Sequence, residues 1–374
     1  MEKRGDGVFQ KCSRKWRKRS SKSYVWENAG TAFFEDGGIV HSFMCEKCKS
    51  GEMESCMQYL LGIDGGGTGT KITVADLDGV VLAQMSAGAL NGNGQSSDQL
   101  RDNIKELANT LKTQGYEPKD CKGLGAGVAG ISNQAARELV KKTFAEEGFG
   151  CFIALYGDHE TALAAAFPQN CGVVLIAGTG SICYARRSDG TCLRVGGYGH
   201  IVDDGGSAYA IGRDILAAVV RQEDGRGTDT ILRRLVFQTL HIAEIRELIG
   251  YIYHPERSKK DIAALAVLLD PAISQGDTAA LAIEDACIES LAELALTAIK
   301  RLDEDKNLAF GGSVLLKNSR IRNRLQQRLQ EFDPQIQIIE TKQDASIGAL
   351  RLLIEERKQF KESIFKNENK REQN

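Results

Sequence analysis

Long apolar runs are missing from this 374-residue chain. No stretch approaches the roughly 18–20 apolar residues that a membrane-spanning helix needs. A secretory leader is not expected, because the first 22 residues are basic and no apolar segment follows them. An excess of one charge is missing as well. The 48 Lys and Arg nearly balance the 50 Asp and Glu, leaving a net charge of −2. That balance speaks against a general nucleic-acid or membrane-surface binder. Tryptophan is scarce: Trp16 and Trp26 are the two, both before residue 57. What is present is material for a sizeable core. The chain is 42% hydrophobic and 26% charged, which excludes general disorder and suits about two α/β domains.

Ten cysteines are scattered along the chain, several among apolar or small residues as in "SICYA". They are expected to be reduced core residues of a cytoplasmic protein. Residues 1–56 differ from the rest. They hold the basic cluster "KCSRKWRKRSSK" and Cys45, Cys48 and Cys56 in "CEKCKSGEMESC". A zinc site there would need Cys12 or His41 as fourth ligand, away from the usual spacing. The plainer expectation is an atypical, poorly ordered extension read from an upstream start codon, with a solvated basic cluster and a functional protein that begins near Met57.

From Met57 the pattern is regular. "QYLLGID" reads as a strand, and "KITVADLDGVVLAQ" as two strands around an Asp78-Gly79 turn. Leu100, Ile104, Leu107 and Leu111 fall on one helical face, with Ser96 and Gln99 as a capping box and Gly115 as the stop. "GLGAGVAGI" is a buried strand, "NQAARELVKKTFAEEG" a helix, "CFIALYGD" a strand, and "HETALAAAF" a helix ended by Pro168. Then a pattern returns. "IDGGGTGTKITVADLDG" and "IAGTGSICYARRSDG" both set a Gly-Thr-Gly element between paired strands, with an Asp-Gly turn at a similar distance. This domain-scale repeat predicts an N-terminal α/β domain over 57–170 and a C-terminal one over 171–343. A helix at about 344–357 is expected to pack back on the first domain, followed by a charged tail over 358–374.

Glycine-rich strand turns aim several backbone N–H groups at one point and suit an anion such as phosphate. Neither turn fits a P-loop or a dinucleotide-binding fingerprint, since both open strands rather than helices. Two phosphate-gripping hairpins are therefore expected, with Thr68, Thr70, Thr179 and Ser181 as hydroxyl donors. Asp64 ends its strand where the second repeat has Ala177, an asymmetry that suits a carboxylate beside Mg²⁺; the plain alternative is a turn cap. Asp158 follows a strand and opens a small-residue helix, so it is either an N-cap or the base that takes a hydroxyl proton. His159 is expected to point elsewhere. Asp203 and Asp204 in "GGYGHIVDDGGSAYAIGRD" would bind sugar hydroxyls or metal, or cap the helix that starts near Ser207.

Together these segments resemble the BadF/BadG/BcrA/BcrD ATPase family, and within it the N-acetylglucosamine kinases, over about Gln58 to Glu355. "GIDGGGTGTK" looks like the first phosphate loop, "IAGTGS" like the second, and "FGGSV" like the adenosine-side loop. "GGYGHIVDDGGSAYAIGR" is similar to the family's G-G-W-G-x-x-x-G-D-E-G-S-x-Y-W-I. The resemblance implies an α/β fold of two ribonuclease H-like domains (the actin-like ATPase/sugar kinase fold) with a cleft between them. It implies an ATP-dependent kinase that phosphorylates a hydroxyl, O6, of an amino sugar. Asp158 would be the catalytic base; Asn91, Gly130 and Asp204 would bind the sugar. Gly66, Gly67, Thr68, Lys71, Thr179, Gly180, Gly311 and Gly312 would bind ATP, and Asp64 would organise Mg²⁺. The resemblance further implies a small-molecule sugar partner and a homodimer through the helical second domain. The family's Glu is absent from Asp203-Asp204-Gly205-Gly206-Ser207, and Tyr198 replaces its Trp. N-acetylglucosamine, N-acetylmuramic acid and glucosamine all stay open. The family's other branch, the iron–sulfur activators of acyl-CoA reductases or dehydratases, resembles D-I-G-G-Q-D at the second loop, where this chain has "LIAGTGS". A non-catalytic sugar sensor is the remaining alternative, against which both loops, Asp64 and Asp158 stand.

Overall fold

The computed structural model describes residues 57–66, 69–92, 96–131, 133–304 and 306–372, with side chains to Phe360 and at Glu362, and before them the backbone of three strands. Met1–Met57 forms a compact unit of its own. Its described part is an antiparallel meander of Trp16–Ser20, Ser23–Trp26 and Ala29–Phe34. The zinc reading of Cys45, Cys48 and Cys56, and the poor order expected for the remainder of the extension, lie outside the described residues.

Gln58–Asn374 forms the second unit. Its first sheet contains β1 (Tyr59–Gly65), β2 (Thr70–Ala75), β3 (Val81–Ala87), β4 (Cys121–Val128) and β5 (Ile153–Tyr156) in the order β3-β2-β1-β4-β5. The β1–β2–β3 pairings are antiparallel, and those of β1 with β4 and β4 with β5 are parallel. Helix α1 (Ser97–Thr113) begins at the predicted capping box: Ser96 Oγ accepts from the Gln99 N–H at 3.2 Å, and Gln99 Oε1 from the Ser96 N–H at 3.0 Å. Gly115, at φ +84°, follows its end. Leu100, Ile104, Leu107 and Leu111 of α1 meet Val140 and Phe144 of α2 (Gln134–Glu146) over one face of the sheet, against Leu61, Ile63, Leu124, Ala126 and Val128.

The second sheet has the same order. It contains β6 (Gly172–Ala177), β7 (Ser181–Arg186), β8 (Cys192–Gly196), β9 (Asn307–Gly311) and β10 (Gln337–Ile339), arranged β8-β7-β6-β9-β10 with the same directions. The repeat read from the two glycine loops is thus a repeat of whole sheets. Between the sheets in sequence lies α3 (Asp158–Ala166). After β8 come α4 (Ala208–Glu223), α5 (Leu232–Leu240), α6 (Ile245–Ile252), α7 (Lys259–Ala263), α8 (Leu269–Ile273) and the long α9 (Thr278–Leu302). The chain closes with α10 (Ser313–Lys317), α11 (Ser319–Phe332) and α12 (Ala345–Glu372). Helix α12 runs on through most of the charged stretch 358–374 that reads as a tail. Among the described residues no helix is long and apolar enough to cross a membrane.

The other face of the first sheet is built on missing side chains. Strand alternation puts Gly62 of β1 and Gly123, Gly125 and Gly127 of β4 on that face. A methyl group on Gly62 would collide with the Ser346 carbonyl of α12; one on Gly125 would lie 2.6 Å from the Ala349 carbonyl, and one on Gly127 would strike Thr161 of α3. Gly348 of α12 repeats the device against α3: its Cβ would overlap the Thr161 carbonyl and lie 2.8 Å from the Ala165 N. Two helices therefore lie almost backbone to backbone on the sheet. Arg351 locks them by donating to the Ala164 and Ala165 carbonyls at 2.8 and 3.2 Å. Leu60, Ala154, Tyr156, Ala164, Leu350 and Leu353 fill what space remains.

Gly348→Ala is expected to destabilise the protein by about 1–3 kcal/mol, because the obstructing atoms are backbone and cannot turn aside. Gly250→Ala, in α6 with open space around it, should be neutral or stabilising by about 0.5–1 kcal/mol. Urea unfolding midpoints of the two variants check the contrast; equal midpoints would contradict the packing.

Candidate active site

Asp64 sits one residue from the end of β1 and, with Leu60 and Gly62, faces α3 and α12. Both helices start beside it. Asp158 is the first residue of α3, after the capping residue Gly157, so it is not the N-cap. Asp344 immediately precedes α12, where its Oδ1 accepts from the Ser346 N–H at 3.1 Å and from the Ser346 hydroxyl. Asp64 is mostly buried. Burial first, then the neighbouring carboxylates of Asp158 and Asp344, push its carboxyl up to about 7. Asp344 was not singled out in the sequence. The "D-A-S" at the start of a long helical pattern is a capping signal that names it as a helix start, not as a neighbour of Asp64.

Asp344 is fixed by a chain of hydroxyls. Gln84 Nε2 donates to Thr73 Oγ1 at 3.2 Å, Thr73 and Ser346 hydroxyls lie 2.6 Å apart, and Ser346 reaches Asp344. Thr73 and Ser346 are fully buried. The chain ties β2 and β3 to the start of α12.

The rest of this edge is backbone. Gly127, in register with Asp64, leads to Ala129 and Gly130. Asn91 bridges Ala129, and the Gly92 N–H donates to the Ala129 carbonyl at 2.9 Å. Gly130, at φ +76°, lies against Gly92. Asn91, Gly130, Asp64 and Asp158 thus share the carboxyl edge of the parallel strands, where ligands bind in open α/β sheets. The Asp158 side chain is 46% exposed. Its Oδ1 accepts from the His159 N–H at 3.0 Å, with His159 Nδ1 at 3.4 Å. His159 therefore does not point away as expected; its ring also packs edge-on against Tyr184 of β7, at 4.6 Å between centroids.

The glycine loops depart from expectation in one respect. Thr70 and Ser181, equivalent in the two repeats, are buried and spend their hydroxyl protons on backbone. Thr70 donates to the Gly88 carbonyl at 2.6 Å and Ser181 to the Gly205 carbonyl at 2.7 Å. They anchor the loops and are not free donors to phosphate. In the first loop the Gly66 N–H donates to the Gly69 carbonyl at 3.1 Å; Gly67 and Thr68 lie outside the described residues. Lys71, on the exposed side of β2, donates to Ser86 Oγ at 3.2 Å.

The second loop is stacked on its neighbours. Gly178, Thr179 and Gly180 join β6 to β7, and a Cβ on Gly312 would strike the Ala177 carbonyl, so the two backbones touch. The α4 start is pinned here, with the Ala208 N–H donating to the Gly178 carbonyl at 2.8 Å and the Tyr209 N–H to the Thr179 carbonyl at 3.3 Å. Asp204 closes the turn. It is 4% exposed, adopts φ +65°, and its Oδ1 accepts from the Ser181 N–H at 3.4 Å. Burial raises its carboxyl above the usual range against that hydrogen bond. Asp203 takes the Tyr198 N–H at 3.1 Å, and Ser207 itself caps α4, so neither aspartate caps that helix. The structure brings Thr179, Gly180, Asp204, Gly311 and Gly312 into this second group, at the equivalent edge of the second sheet.

A carboxylate with repelling carboxylate neighbours, beside two helix N-termini that favour phosphate, suits a magnesium–phosphate ligand. Among the described residues no three His, Cys, Asp or Glu side chains close a cage around a metal. Mg²⁺ ordinarily takes one or two protein carboxylates, with water and phosphate oxygens in its other positions, and Asp64 is the residue that could hold it. The raised Asp64 carboxyl has a stability consequence. Its folded value of about 7 exceeds the ordinary aspartate value of 3.8 that it has in the unfolded chain, so ionising it costs the ligand-free protein stability. That cost is absent below pH 4, grows as pH rises and is complete above pH 7, reaching on the order of 2–4 kcal/mol. Thermal unfolding of Asp64→Asn without ligand should lack this decline; an unchanged pH profile would contradict the burial argument.

The chain is similar to a known family and to named kinases. The model of the BadF/BadG/BcrA/BcrD ATPase family matches residues 61–352. The chain is 30% identical over 302 residues to the N-acetylmuramic acid/N-acetylglucosamine kinase of Clostridium acetobutylicum, covering 79% of this chain and 97% of that one. It is 27% identical over 316 residues to the N-acetyl-D-glucosamine kinase of Dictyostelium discoideum, covering 80% and 99%. A solved candidate N-acetylglucosamine kinase from Chromobacterium violaceum superposes with a TM-score of 0.64 at 26% identity, over 80% of this chain and 99% of that one. From the first glycine loop into the last helix, then, this chain belongs to the BadF/BadG/BcrA/BcrD ATPase family.

Proposed function

We propose that this chain is an ATP-dependent amino-sugar kinase that transfers the γ-phosphoryl group to O6 of N-acetylglucosamine or N-acetylmuramic acid. The observation that carries the reading is the meeting of Asp64, Asp158, Asn91 and Gly130 at one sheet edge, with Asp158 exposed enough to touch a substrate. Its relatives from Clostridium and Dictyostelium, named as an N-acetylmuramic acid/N-acetylglucosamine kinase and an N-acetyl-D-glucosamine kinase, match nearly their whole length.

Phosphoryl transfer needs little covalent chemistry from the protein. It needs the hydroxyl and the phosphate held in line and the charge of the transferring group compensated. Asp158 accepts the hydroxyl proton, and Asn91 and the Gly130 backbone orient the sugar. Backbone N–H groups in the Gly66–Gly69 and Gly178–Ser181 turns hold the phosphates, apart from those of Gly66, Gly178 and Ser181, which bond within the protein, with Thr68 and Thr179 as the hydroxyls left for them. Gly311 and Gly312 border the adenosine. Asp64 would hold Mg²⁺, which when bound offsets phosphate charge. Lys71 is placed to join the phosphates only by leaving Ser86. Asp204 works from behind the second loop, setting the Ser181 turn.

In this reading the unit after Gln58 works as two domains, 57–170 with the start of α12, and 171–343, closing over the sugar to exclude water. The enzyme acts in the cytoplasm as a homodimer. Glucosamine is the second substrate reading, favoured by 26% identity over 169 residues to the Vibrio cholerae glucosamine kinase. An iron–sulfur activator is disfavoured by the second-loop sequence.

ADP release should depend on an added sugar, with N-acetylglucosamine and N-acetylmuramic acid above glucosamine and glucose. Asp158→Asn should lower kcat by about 10²–10⁴-fold and leave sugar binding intact. Sugar-independent ADP release, or a fully active variant, would overturn the reading.

A further inference from the structure

At the opposite edge of the first sheet, away from every residue given a role above, two cysteines meet. Cys121 is the first residue of β4, and Cys151 lies two residues before β5, its parallel neighbour. Their sulfurs are 3.6 Å apart. Cys121 is buried at 3% exposure and Cys151 is partly exposed. The pair therefore has one sulfur that a small oxidant can reach and one that solvent cannot. Around them stand Tyr59, whose hydroxyl is engaged by the Glu117 carbonyl at 3.1 Å, with Asp120, Lys122 and Arg357 of α12. The hydrogen bond with Cys121, helped by Arg357 and Lys122, holds the Cys151 thiol below the ordinary thiol range, while the same bond and burial hold Cys121 above it. The reachable sulfur is thus placed to meet an oxidant first, and the buried one to attack it afterwards. That division of labour is what a peroxide-reactive cysteine and its resolving partner need.

We propose that Cys121 and Cys151 form an oxidisable dithiol that a hydroperoxide closes into a disulfide. The Cys151 thiolate attacks the outer peroxide oxygen and breaks the O–O bond. The leaving oxygen takes a proton from solvent as water or an alcohol, and Cys151 becomes a sulfenic acid. Cys121 sulfur then attacks Cys151 sulfur. The S–O bond breaks, hydroxide leaves and combines with the Cys121 proton as water, and the S–S bond forms. Two thiols are oxidised and one peroxide is reduced. Closure to the normal bond length of about 2.0 Å needs the sulfurs to approach by roughly 1.5 Å, a side-chain adjustment at two adjacent strand starts. The bond would link the two strands around α2, so it restricts the unfolded chain and stabilises the sheet. A reducing cytoplasm keeps the pair open, and peroxide closes it reversibly.

The test uses the full chain treated with hydrogen peroxide, alkylated and digested without reductant. The expected result is a linked Cys121–Cys151 peptide that dithiothreitol removes, together with a rise in thermal midpoint of about 2–5 °C. In Cys121→Ser, Cys151 should instead carry a trappable sulfenic acid. Cys151→Ser, at the partly exposed position, should form no link and show no peroxide-induced rise. Free, alkylatable thiols at both positions after peroxide, or a sulfenic acid accumulating at Cys151 in the unaltered chain, would overturn the proposal.

Discussion

The site depends on how closely two helices approach one face of the first sheet. Gly62, Gly125 and Gly127 remove the side chains of the sheet, Gly348 removes one from α12, and four of the nine residues of α3 are alanine. Backbone then packs on backbone. The consequence is chemical as much as structural. The ends of β1, α3 and α12 converge, and each delivers one aspartate: Asp64, Asp158 and Asp344. A bulkier residue at any of the contacts would move a helix start, and with it a carboxylate.

That convergence explains why a carboxylate ends an apolar strand. Leu60 and Gly62 place the same strand face under α12, and Asp64 continues that face to the strand end. Three nearby carboxylates are unfavourable unless something positive joins them, and burial raises the Asp64 carboxyl accordingly. The two helix N-termini supply partial positive charge at the same place. In the proposed function an anion with its cation would complete the balance, and the second sheet has a matching glycine loop pressed against Gly312. The buried hydroxyls are bonded within the protein. Thr70 and Ser181 tie each loop to its own sheet, and Thr73 and Ser346 carry a hydrogen-bond chain from Gln84 to Asp344.

Much of this was legible in the sequence where the signal is local. Ser96 and Gln99 announce a capping box, the Asp-Gly dipeptides announce hairpins, and the recurring Gly-Thr-Gly announces two similar sheets. The 3.6 period of α1 gives its buried face directly. What was hidden depends on long-range contact. Nothing local in "GLGAGVAG" says that its alternating glycines serve a helix that arrives more than 200 residues later. Asp344 looks like an ordinary cap until α12 is laid beside β1. The hydroxyls of Thr70 and Ser181 look free until the loops that accept their protons fold over them. His159 was expected to point away because it follows a helix start, but packing against Tyr184 turns its ring towards Asp158.

The most direct measurement is a crystal structure with N-acetylglucosamine and a non-hydrolysable ATP analogue bound together. The account predicts a sugar hydroxyl within about 3 Å of an Asp158 carboxylate oxygen, with the triphosphate lying between the Gly66–Gly69 and Gly178–Ser181 loops. A sugar seated away from Asp158, or a nucleotide that avoids both loops, would contradict it.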